Sequence, residues 1–422
     1  MLASDVSAEE DQPRMENLPD DVLCYIFIRL QARLVGQMRC VSKPLNALLS
    51  QPYFIKSHLN HSIRNNYKSF ILGRARFQNK LFCWPHGPEG IQLPANAPSE
   101  DAECFINGSI NGLVCFSSYD NRSGDGFIHI WNPSLSAFLT LSPGSNIHSA
   151  GFHFIVRFGY DPKTDDYKVV NLNFSKQDNT YTSYGGIFYC KKWLQVEVYS
   201  MRQGCWHSIT QRFPSHVCRI HYQNYPCVDG LDGNVYWLGD LGGERKLQTI
   251  VVFDLGAETF NEIALPNCIA YDNENPLAVL SGNLCLYSRD REGQSEVWKM
   301  DKYGVADSWV KSYMFPQNCG IVRPSGFTLS NDLLMTCYLH SIAWYNLNTA
   351  EVKYIENKEP FHGPESLWYI DSLVWVAPPK RIMGSKDGVH CNLFKRWIKD
   401  FLKSFKVKCI GWQHVIGSFT NK

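Results

Sequence analysis

Residues 18–55 have the sequence LPDDVLCYIFIRLQARLVGQMRCVSKPLNALLSQPYFI, and this stretch decides how the N-terminal part of the chain folds. Pro19 suits the first turn of a helix because it lacks only an N–H that has no helical partner there. The acids Asp20 and Asp21 favour the positive end of the same helix. Val22 and Ile26 then follow at a spacing of four residues, which predicts an amphipathic helix.

Two further segments predict a module of three short helices. The second passes through Val35, Met38 and Val41, and the third begins near Ser42, which can cap it, with Pro44 in its first turn. A module of about forty residues cannot bury its apolar faces alone. Either the module packs onto the rest of the chain, or its remaining apolar face binds a partner.

The order of short motifs in this stretch resembles the F-box. The motifs are Leu18-Pro19, Ile26-x-x-Arg29-Leu30, Arg39-Cys40-Val41-x-Lys43 and Pro52-x-Phe54-Ile55. The resemblance implies an F-box over residues 15–62 and, as partner, the Skp-type adaptor of a cullin–RING ubiquitin ligase. It assigns the adaptor-facing apolar surface or its immediate support to Leu18, Pro19, Val22, Leu23, Ile26, Leu30, Val41 and Leu45.

The chain departs from the usual F-box pattern at two places. Residues 31–36 are Gln-Ala-Arg-Leu-Val-Gly where Pro-Val-Lys-Ser-Leu-Leu is usual, and Leu45 stands where Trp is usual. A glycine inside a helix costs about 1 kcal/mol relative to alanine, and leucine fills less of an aromatic slot. These departures predict a weaker adaptor contact.

From about residue 67 to 378 the chain consists of short β-branched and aromatic segments separated by Gly, Asp, Asn and Pro, which predicts an all-β domain. A repeat recurs within it: a strand ends in a bulky residue followed by a small polar one, and another bulky residue comes six places later. The copies are Asn132 to Phe138, Ser200 to Trp206, Asp254 to Phe260 and Asn346 to Val352, with a longer version from Asp301 to Trp309. The polar residue is expected to shape a turn, not to catalyse.

The spacing of this repeat predicts propeller blades. Asp254, Asp301 and Asn346 are 47 and 45 residues apart (301 − 254 and 346 − 301), and units of that size with several strands are typical of a propeller. Five copies are visible, and residues 67–84 would begin a sixth blade that residues 367–376 close, so six blades are expected, with five and seven as the alternatives. The expected fold is therefore α+β and multidomain: a three-helix F-box, a propeller-like domain of about six blades and a C-terminal amphipathic helix.

The same landmarks resemble the plant F-box-associated domain, also described as kelch-like. They are Ser109-Ile-Asn-Gly-Leu-Val-Cys115, Trp131-Asn132-Pro133, Phe158-Gly-Tyr-Asp161, Asp166-Tyr-Lys-Val-Val170, Val196-Glu-Val-Tyr-Ser200 and Asp371-Ser-Leu-Val374. The resemblance implies that residues 67–378 bind a target protein.

Composition and motifs argue against catalysis and against secretion. No phosphate-binding loop, zinc-protease motif or nucleophile elbow is present, and none of the 15 cysteines forms a C-x-x-C pair. The best metal candidates, His216, Cys218, His221 and Cys227, are expected not to hold a metal, and no cofactor is expected. Residues 1–14 are expected to be a disordered acidic leader, and no run of about eighteen apolar residues suggests a membrane span. We expect a cytoplasmic or nuclear protein.

The segment 379–422 is a basic tail. Within it, residues 392–408 place Leu393, Trp397, Phe401 and Phe405 on one face at helical spacing, which predicts an amphipathic helix. Such a helix docks on its own protein, lies on an anionic membrane surface or enters a partner's groove, and all three interpretations remain open. No nucleic-acid motif accompanies it.

Taken together, the sequence predicts a non-catalytic substrate-recognition subunit of an SCF (Skp–cullin–F-box) E3 ubiquitin ligase. Loops 207–225 and 267–275 are the candidates for target binding, by their length and polarity. One alternative is an F-box protein that acts outside a ligase. Another is a propeller that works as a lectin or an enzyme.

Overall fold

The computed structural model describes most of the chain between residues 18 and 376. The described residues are 18–65, 69–74, 81–85, 102–120, 126–141, 152–176, 187–221, 232–241, 247–266, 269, 276–289, 294–315, 321–327, 331–337, 342–354 and 367–376. The predicted leader 1–14, the tail 379–422 and its helix 392–408 lie outside the described residues.

Four helices form the N-terminal module: α1 Asp20–Phe27, α2 Ala32–Met38, α3 Lys43–Leu49 and α4 Pro52–Arg64. The expectation of three helices is therefore wrong. Gln51 is extended, as residues before proline usually are, and Pro52 then starts a separate helix at its first position. Ser42 caps α3 as expected, because its Oγ accepts a hydrogen bond from the Leu45 N–H at 3.3 Å.

The rest of the described chain is built of antiparallel strands. They are β1 Ser69–Arg74, β2 Leu81–Pro85, β3 Ala102–Ile110, β4 Leu113–Asp120, β5 Gly126–Asn132, β6 Ala137–Leu141, β7 Phe152–Asp161, β8 Asp166–Lys176, β9 Ile187–Ser200, β10 Cys205–Ser208, β11 Val217–His221, β12 Asn234–Leu241, β13 Gln248–Asp254, β14 Thr259–Ala264, β15 Leu277–Leu280, β16 Asn283–Arg289, β17 Ser295–Met300, β18 Trp309–Phe315, β19 Ile321–Phe327, β20 Leu333–Cys337, β21 Ile342–Tyr345, β22 Val352–Tyr354 and β23 Leu367–Ile370. The expected sequence of helices followed by an all-β propeller-like domain is confirmed.

Within the described residues these strands form five sheets, so the expected count of about six blades is wrong. Three of the sheets are four-stranded: β3–β6, β15–β18 and β19–β22. The strands β7–β14 form one eight-stranded sheet, because β9 is 14 residues long and serves two groups of neighbours. Residues 197–200 lie between β8 and β10, while residues 187–189 pair with β11. The copies of the repeat at Ser200 and Asp254 suggest two separate blades, but the backbone hydrogen bonds join their strands into one sheet.

The fifth sheet joins the two ends of the β domain. In it β1 pairs antiparallel with β23, with Ser69 opposite Ile370 and Leu72 opposite Leu367, and β2 pairs with the other side of β1. The predicted closure by residues from both ends is thus confirmed. Closure of this kind removes an open sheet edge that would otherwise be free to pair with other chains.

The repeat observed in the sequence corresponds to a repeated turn. The Asp254 Oδ1 accepts hydrogen bonds from the N–H groups of Gly256 and Ala257, both at 2.8 Å. Asn346 does the same two and three residues further along the chain, at 2.9 Å. The residue four places after the anchors of the four shorter copies has a positive φ, at Ser136, Gly204, Glu258 and Ala350, while in the longer copy the positive φ is at Gly304, three places after Asp301. These side chains therefore shape turns, as predicted.

A second turn type joins the first two strands of several units. Asn111-Gly112 between β3 and β4 and Ser281-Gly282 between β15 and β16 each have two consecutive positive φ values, and so does Asp232-Gly233 directly before β12. Two such residues make the tight hairpin turn whose twist matches that of the strands. Both turn types lie at the same end of the strands, which we call the turn end of the β domain.

Neighbouring units are joined by polar contacts as well as by apolar cores. The Lys168 Nζ of β8 donates to the Leu255 carbonyl at 2.7 Å and to the Glu258 Oε1 at 2.8 Å, and both acceptors belong to the turn after β13. A Cβ at Gly159 would lie 2.7 Å from the Leu255 Cδ1, so only glycine fits there. The Trp309 Nε1–H similarly donates to the Ala264 carbonyl, which joins β18 to β14.

Two turn residues with positive φ predict opposite effects of glycine and alanine. Ala350 has φ 58° and Gly304 has φ 78°, and nothing lies within 4 Å of a Cβ built at Gly304. Ala350→Gly removes the steric penalty of a Cβ in this conformation and should stabilise the protein by up to about 1 kcal/mol, whereas Gly304→Ala should destabilise it by a similar amount. Urea unfolding of both variants measures this, and equal signs would contradict it.

A buried histidine predicts a pH-dependent stability. His129 is 1% exposed, its ring nitrogens contact the Ser118 Oγ at 2.8 Å and the Thr140 Oγ1 at 3.1 Å, and burial lowers its pKa to about 4. Because the unfolded chain binds this proton near pH 6.5, the stabilisation is complete above that pH and is lost as the pH falls towards 4. The loss should reach about 2 kcal/mol between pH 7 and pH 5.

Unfolding of the wild type and of His129→Phe at these two pH values measures the effect. The variant should lose less stability than the wild type over this range, whatever its stability at pH 7. An equal loss in the two proteins would show that other groups carry the pH dependence.

Candidate interaction surface

Helix α1 separates its apolar side chains into two groups. Leu23 and Phe27 are buried, while Val22 and Ile26 are 37% and 44% exposed. Val22 and Ile26 are four residues apart, so they lie one above the other on the same face of the helix. Pro19, just before the helix, is also exposed. This face presents an apolar row that no described part of the chain covers.

Two further apolar side chains come from the other helices. Val41, which follows α2, is 57% exposed, and Tyr53 at the start of α4 is 52% exposed. The Tyr53 hydroxyl lies 3.4 Å from the Cys24 Sγ of α1, so the beginning of α4 lies beside α1. This thiol contact raises the pKa of the Tyr53 hydroxyl. We call Pro19, Val22, Ile26, Val41 and Tyr53 together the apolar face.

The sequence-predicted residues divide between this face and the interior. Pro19, Val22, Ile26 and Val41 are exposed, Leu18, Leu30 and Leu45 are half-buried, and Leu23 is buried in the core of the module. Tyr53 was not predicted, because its exposure depends on the separate helix α4. Tyr25, which is 64% exposed, was also missed. Its position in the sequence between Val22 and Ile26 could have identified it as a surface residue of α1.

The surroundings of the apolar face are mostly basic, apart from the exposed Asp20 and Asp21 at the start of α1. The Arg29 guanidinium lies 3.4 Å from the centre of the Tyr25 ring, and Arg33, Lys43 and Lys56 are exposed. Residues 22–60 contain no acid. Positive charge around an apolar patch suits an acidic partner and accelerates its association.

The other side of the helical module packs on the β domain. Its core contains Val35, Leu49 and Phe54 together with Leu373, which follows β23 and is fully buried, and Leu135 of the turn between β5 and β6 packs against it. The first alternative from the sequence, packing onto the rest of the chain, is therefore confirmed for one side of this module. The apolar face remains exposed.

The candidate loop 207–225 is described up to residue 221, and its central part is well ordered by contacts. Phe213 is buried against the rings of Trp193, Trp237 and Phe260. The Gln211 side chain accepts from the Phe260 N–H at 2.8 Å and donates to the Phe260 carbonyl at 3.3 Å. The segment thus covers the outer edge of β14 and imitates a neighbouring strand.

The candidate segment 207–225 begins near the turn end, where the His207 Nε2 contacts the Glu258 Oε2 at 2.8 Å, and reaches the opposite end of the strands at Val217. The chain enters the 207–225 segment from β10 and leaves it into β11, whose first residue Val217 pairs with Leu241 at the far end of β12. Thr210, Arg212 and His216 are exposed along the outer edge of β14, where Gln211 bonds Phe260 and His216 contacts Glu262. Of the second candidate, 267–275, only residue 269 is described.

The described residues offer little for metal chemistry. In the described ranges no group of three His, Cys, Asp or Glu side chains could hold a metal ion. His216 contacts the Glu262 Oε2 at 3.0 Å, and the Cys218 Sγ lies 3.5 Å from the Asp240 carbonyl oxygen. None of the described helices has the length and apolar character needed to span a bilayer.

Two family profiles match the chain. Residues 15–57 match the F-box domain, and residues 90–362 match the F-box associated beta propeller domain. The second match alone covers more than half of the 422 residues.

Several curated plant proteins are similar over most of their length. The F-box protein CPR1 of Arabidopsis thaliana is 26% identical over 371 residues, which cover 82% of this chain and 86% of CPR1. A second F-box protein of the same plant is 25% identical and is covered completely by an alignment over 93% of this chain. An Arabidopsis thaliana F-box/kelch-repeat protein is 25% identical over 80% of this chain and 90% of its own length.

Proposed function

Since the chain is a plant F-box protein of the F-box associated beta propeller family, we propose that it is the substrate-recognition subunit of an SCF E3 ubiquitin ligase. The F-box binds a Skp1-type adaptor, and the propeller binds a target protein. The protein itself performs no covalent step, because its role is to hold the target near the ubiquitin-loaded enzyme.

The observation that carries this proposal is the exposed apolar face of the F-box. Val22, Ile26 and Val41 are each more than a third exposed, although neighbouring apolar residues of the same helices are buried. A row of exposed apolar side chains with polar neighbours, such as Val22 and Ile26 one helical turn apart, is typical of protein interaction sites. The face lies on the helical module, whose other side packs against Leu373, so an adaptor reaches it without disturbing the propeller.

Target binding is assigned to the end of the propeller opposite the turn end. The F-box packs beside the turn that contains Leu135, at the turn end, and so occupies part of that end. The part of segment 207–225 around Val217 reaches the other end, and β14, which precedes residues 267–275 in the chain, ends there. A target bound there and an adaptor bound to the apolar face would not compete for the same surface.

The departures from the usual F-box pattern favour the ligase role over action outside a ligase. Ala32 and Val35 are fully buried, and a Cβ at Gly36 would lie 3.0 Å from the Leu135 Cδ2 of the propeller. Although Arg33 and Leu34 are exposed, Ala32, Val35 and Gly36 thus face the chain's own β domain. Their unusual identities fit α2 to the propeller and leave the apolar face unchanged.

Adaptor binding by the full chain tests the proposal. Calorimetry with a purified plant Skp1-type adaptor should give a Kd of about 1 μM or tighter. The double variant Val22→Asp, Ile26→Asp should weaken binding by at least about 100-fold, because binding would then bury two unpaired carboxylates in an apolar contact.

Val310→Asp is the matched control, because Val310 is 40% exposed but lies on β18 of the propeller. Its affinity for the adaptor should stay within about twofold of the wild type. Failure of the folded wild-type chain to bind, or an equal loss in the control, would contradict the proposal.

A further inference from the structure

The first turn of α2 lacks a cap from its own sequence. Gln31 stands at the capping position, and its side chain makes no capping hydrogen bond. The cap comes instead from Asp371, 339 residues away, whose Oδ2 accepts a hydrogen bond from the Ala32 N–H at 2.6 Å. A carboxylate at the start of a helix also interacts favourably with the helix dipole. One side chain of the β domain thus completes a helix of the F-box.

The other oxygen of Asp371 is bound to the propeller. Ser134, in the turn between β5 and β6, donates its hydroxyl hydrogen to the Asp371 Oδ1. The Ser134 N–H in turn donates to the Tyr369 hydroxyl at 3.0 Å. The carboxylate therefore bridges α2, the β5–β6 turn and the segment that follows β23, and it is only 3% exposed.

The segment after β23, residues 371–374, is held from both sides. The Asn132 amide donates to the Ser372 carbonyl at 3.0 Å and to the Val374 carbonyl at 2.7 Å. A Cβ at Gly112 would lie 2.1 Å from the Ser372 Cβ, so the hairpin turn before β4 closes against the same segment. Hydrogen bonds from Asn132 and the close approach of Gly112 therefore hold the backbone of this segment from two sides.

Apolar side chains of this segment alternate between two cores. Leu373 belongs to the core of the F-box, while Val374 and Val376 pack in the core between β4, β5, β7 and β8. A rotation of the F-box relative to the propeller would expose Leu373 and would leave the buried Asp371 carboxylate without its Ala32 partner. Unpaired buried charges are strongly unfavourable.

We propose that Asp371 is a positioning residue that locks the F-box and the propeller into one rigid body. The lock fixes the direction in which the apolar face points relative to the opposite end of the propeller. The idea that this fixed direction matters for ubiquitin transfer rests on the proposed function, but the lock itself does not. Contacts between domains of one chain usually permit relative motion. The buried carboxylate bridge at this joint restricts that motion.

The experiment measures the distance between the two domains in the full chain. Donor and acceptor dyes are attached through non-canonical amino acids at Asn60 and Lys353, both exposed, because the chain has 15 cysteines. Single-molecule energy transfer should give one narrow distance distribution for the wild type. Asp371→Leu should broaden it at least twofold.

Two other variants at the joint separate positioning from simple stability. Asp371→Asn keeps an oxygen that accepts from the Ala32 N–H and should retain nearly the wild-type width. Ser134→Ala removes one hydrogen bond of Asp371 and should give an intermediate width. If Asp371→Leu does not fold, Ser134→Ala carries the test, and a wild-type width in it would overturn the proposal.

Asp301→Leu is the matched control, because the Asp301 side chain is 51% exposed in a propeller turn remote from the joint, and its distribution should equal that of the wild type. A broad distribution in the wild type, or a narrow one in folded Asp371→Leu, would overturn the lock. The affinity of the joint variants for the adaptor should stay within twofold of the wild-type affinity.

Failure of the wild type to bind the adaptor would refute the proposed function without affecting the distance result.

Discussion

The antiparallel pairing of β1 with β23 is the contact on which the rest of the structure depends. It joins the first strand after the F-box to the last described strand of the β domain. Because β1 follows α4 closely in the chain, the same pairing brings residues 371–374 beside the F-box. One ladder thus closes the β domain and supplies the residues to which the helical module is attached.

This arrangement explains why a small F-box is stable in the chain although its helices are short. Isolated helices of seven or eight residues are marginal in water, and most of their stability comes from packing. Leu373 fills the centre of the module, and the Asp371 carboxylate caps α2. The β domain therefore completes the F-box core on one side and leaves the apolar face of the other side exposed.

Local features of the fold could be predicted from the sequence, whereas long-range ones could not. The turns anchored at Asp254 and Asn346 depend on side chains that bond the backbone two and three residues away, so a pattern in the sequence suffices to find them. The blade count failed because pairing of residues 187–189 with β11 is a property of backbone register, not of residue type. Ala32 and Asp371 are 339 residues apart in the chain, and no repeat or periodicity in the sequence indicates their contact.

The candidate site shows the same division. Val22 and Ile26 follow from helical spacing, but the sequence alone assigned the unusual residues 31–36 to a weakened adaptor contact. The geometry gives them a different cause: leucine, usual in F-boxes where this chain has Gly36, would place its Cβ 3.0 Å from the Leu135 Cδ2. A larger residue at position 36 would therefore require the half-buried Leu135 side chain, or α2 itself, to move by a few tenths of an ångström. The identity of residues in α2 is thus coupled to that of the propeller turn, so an F-box exchanged between members of the family should keep its own joint only when residues 132–135 and 371–374 are exchanged with it.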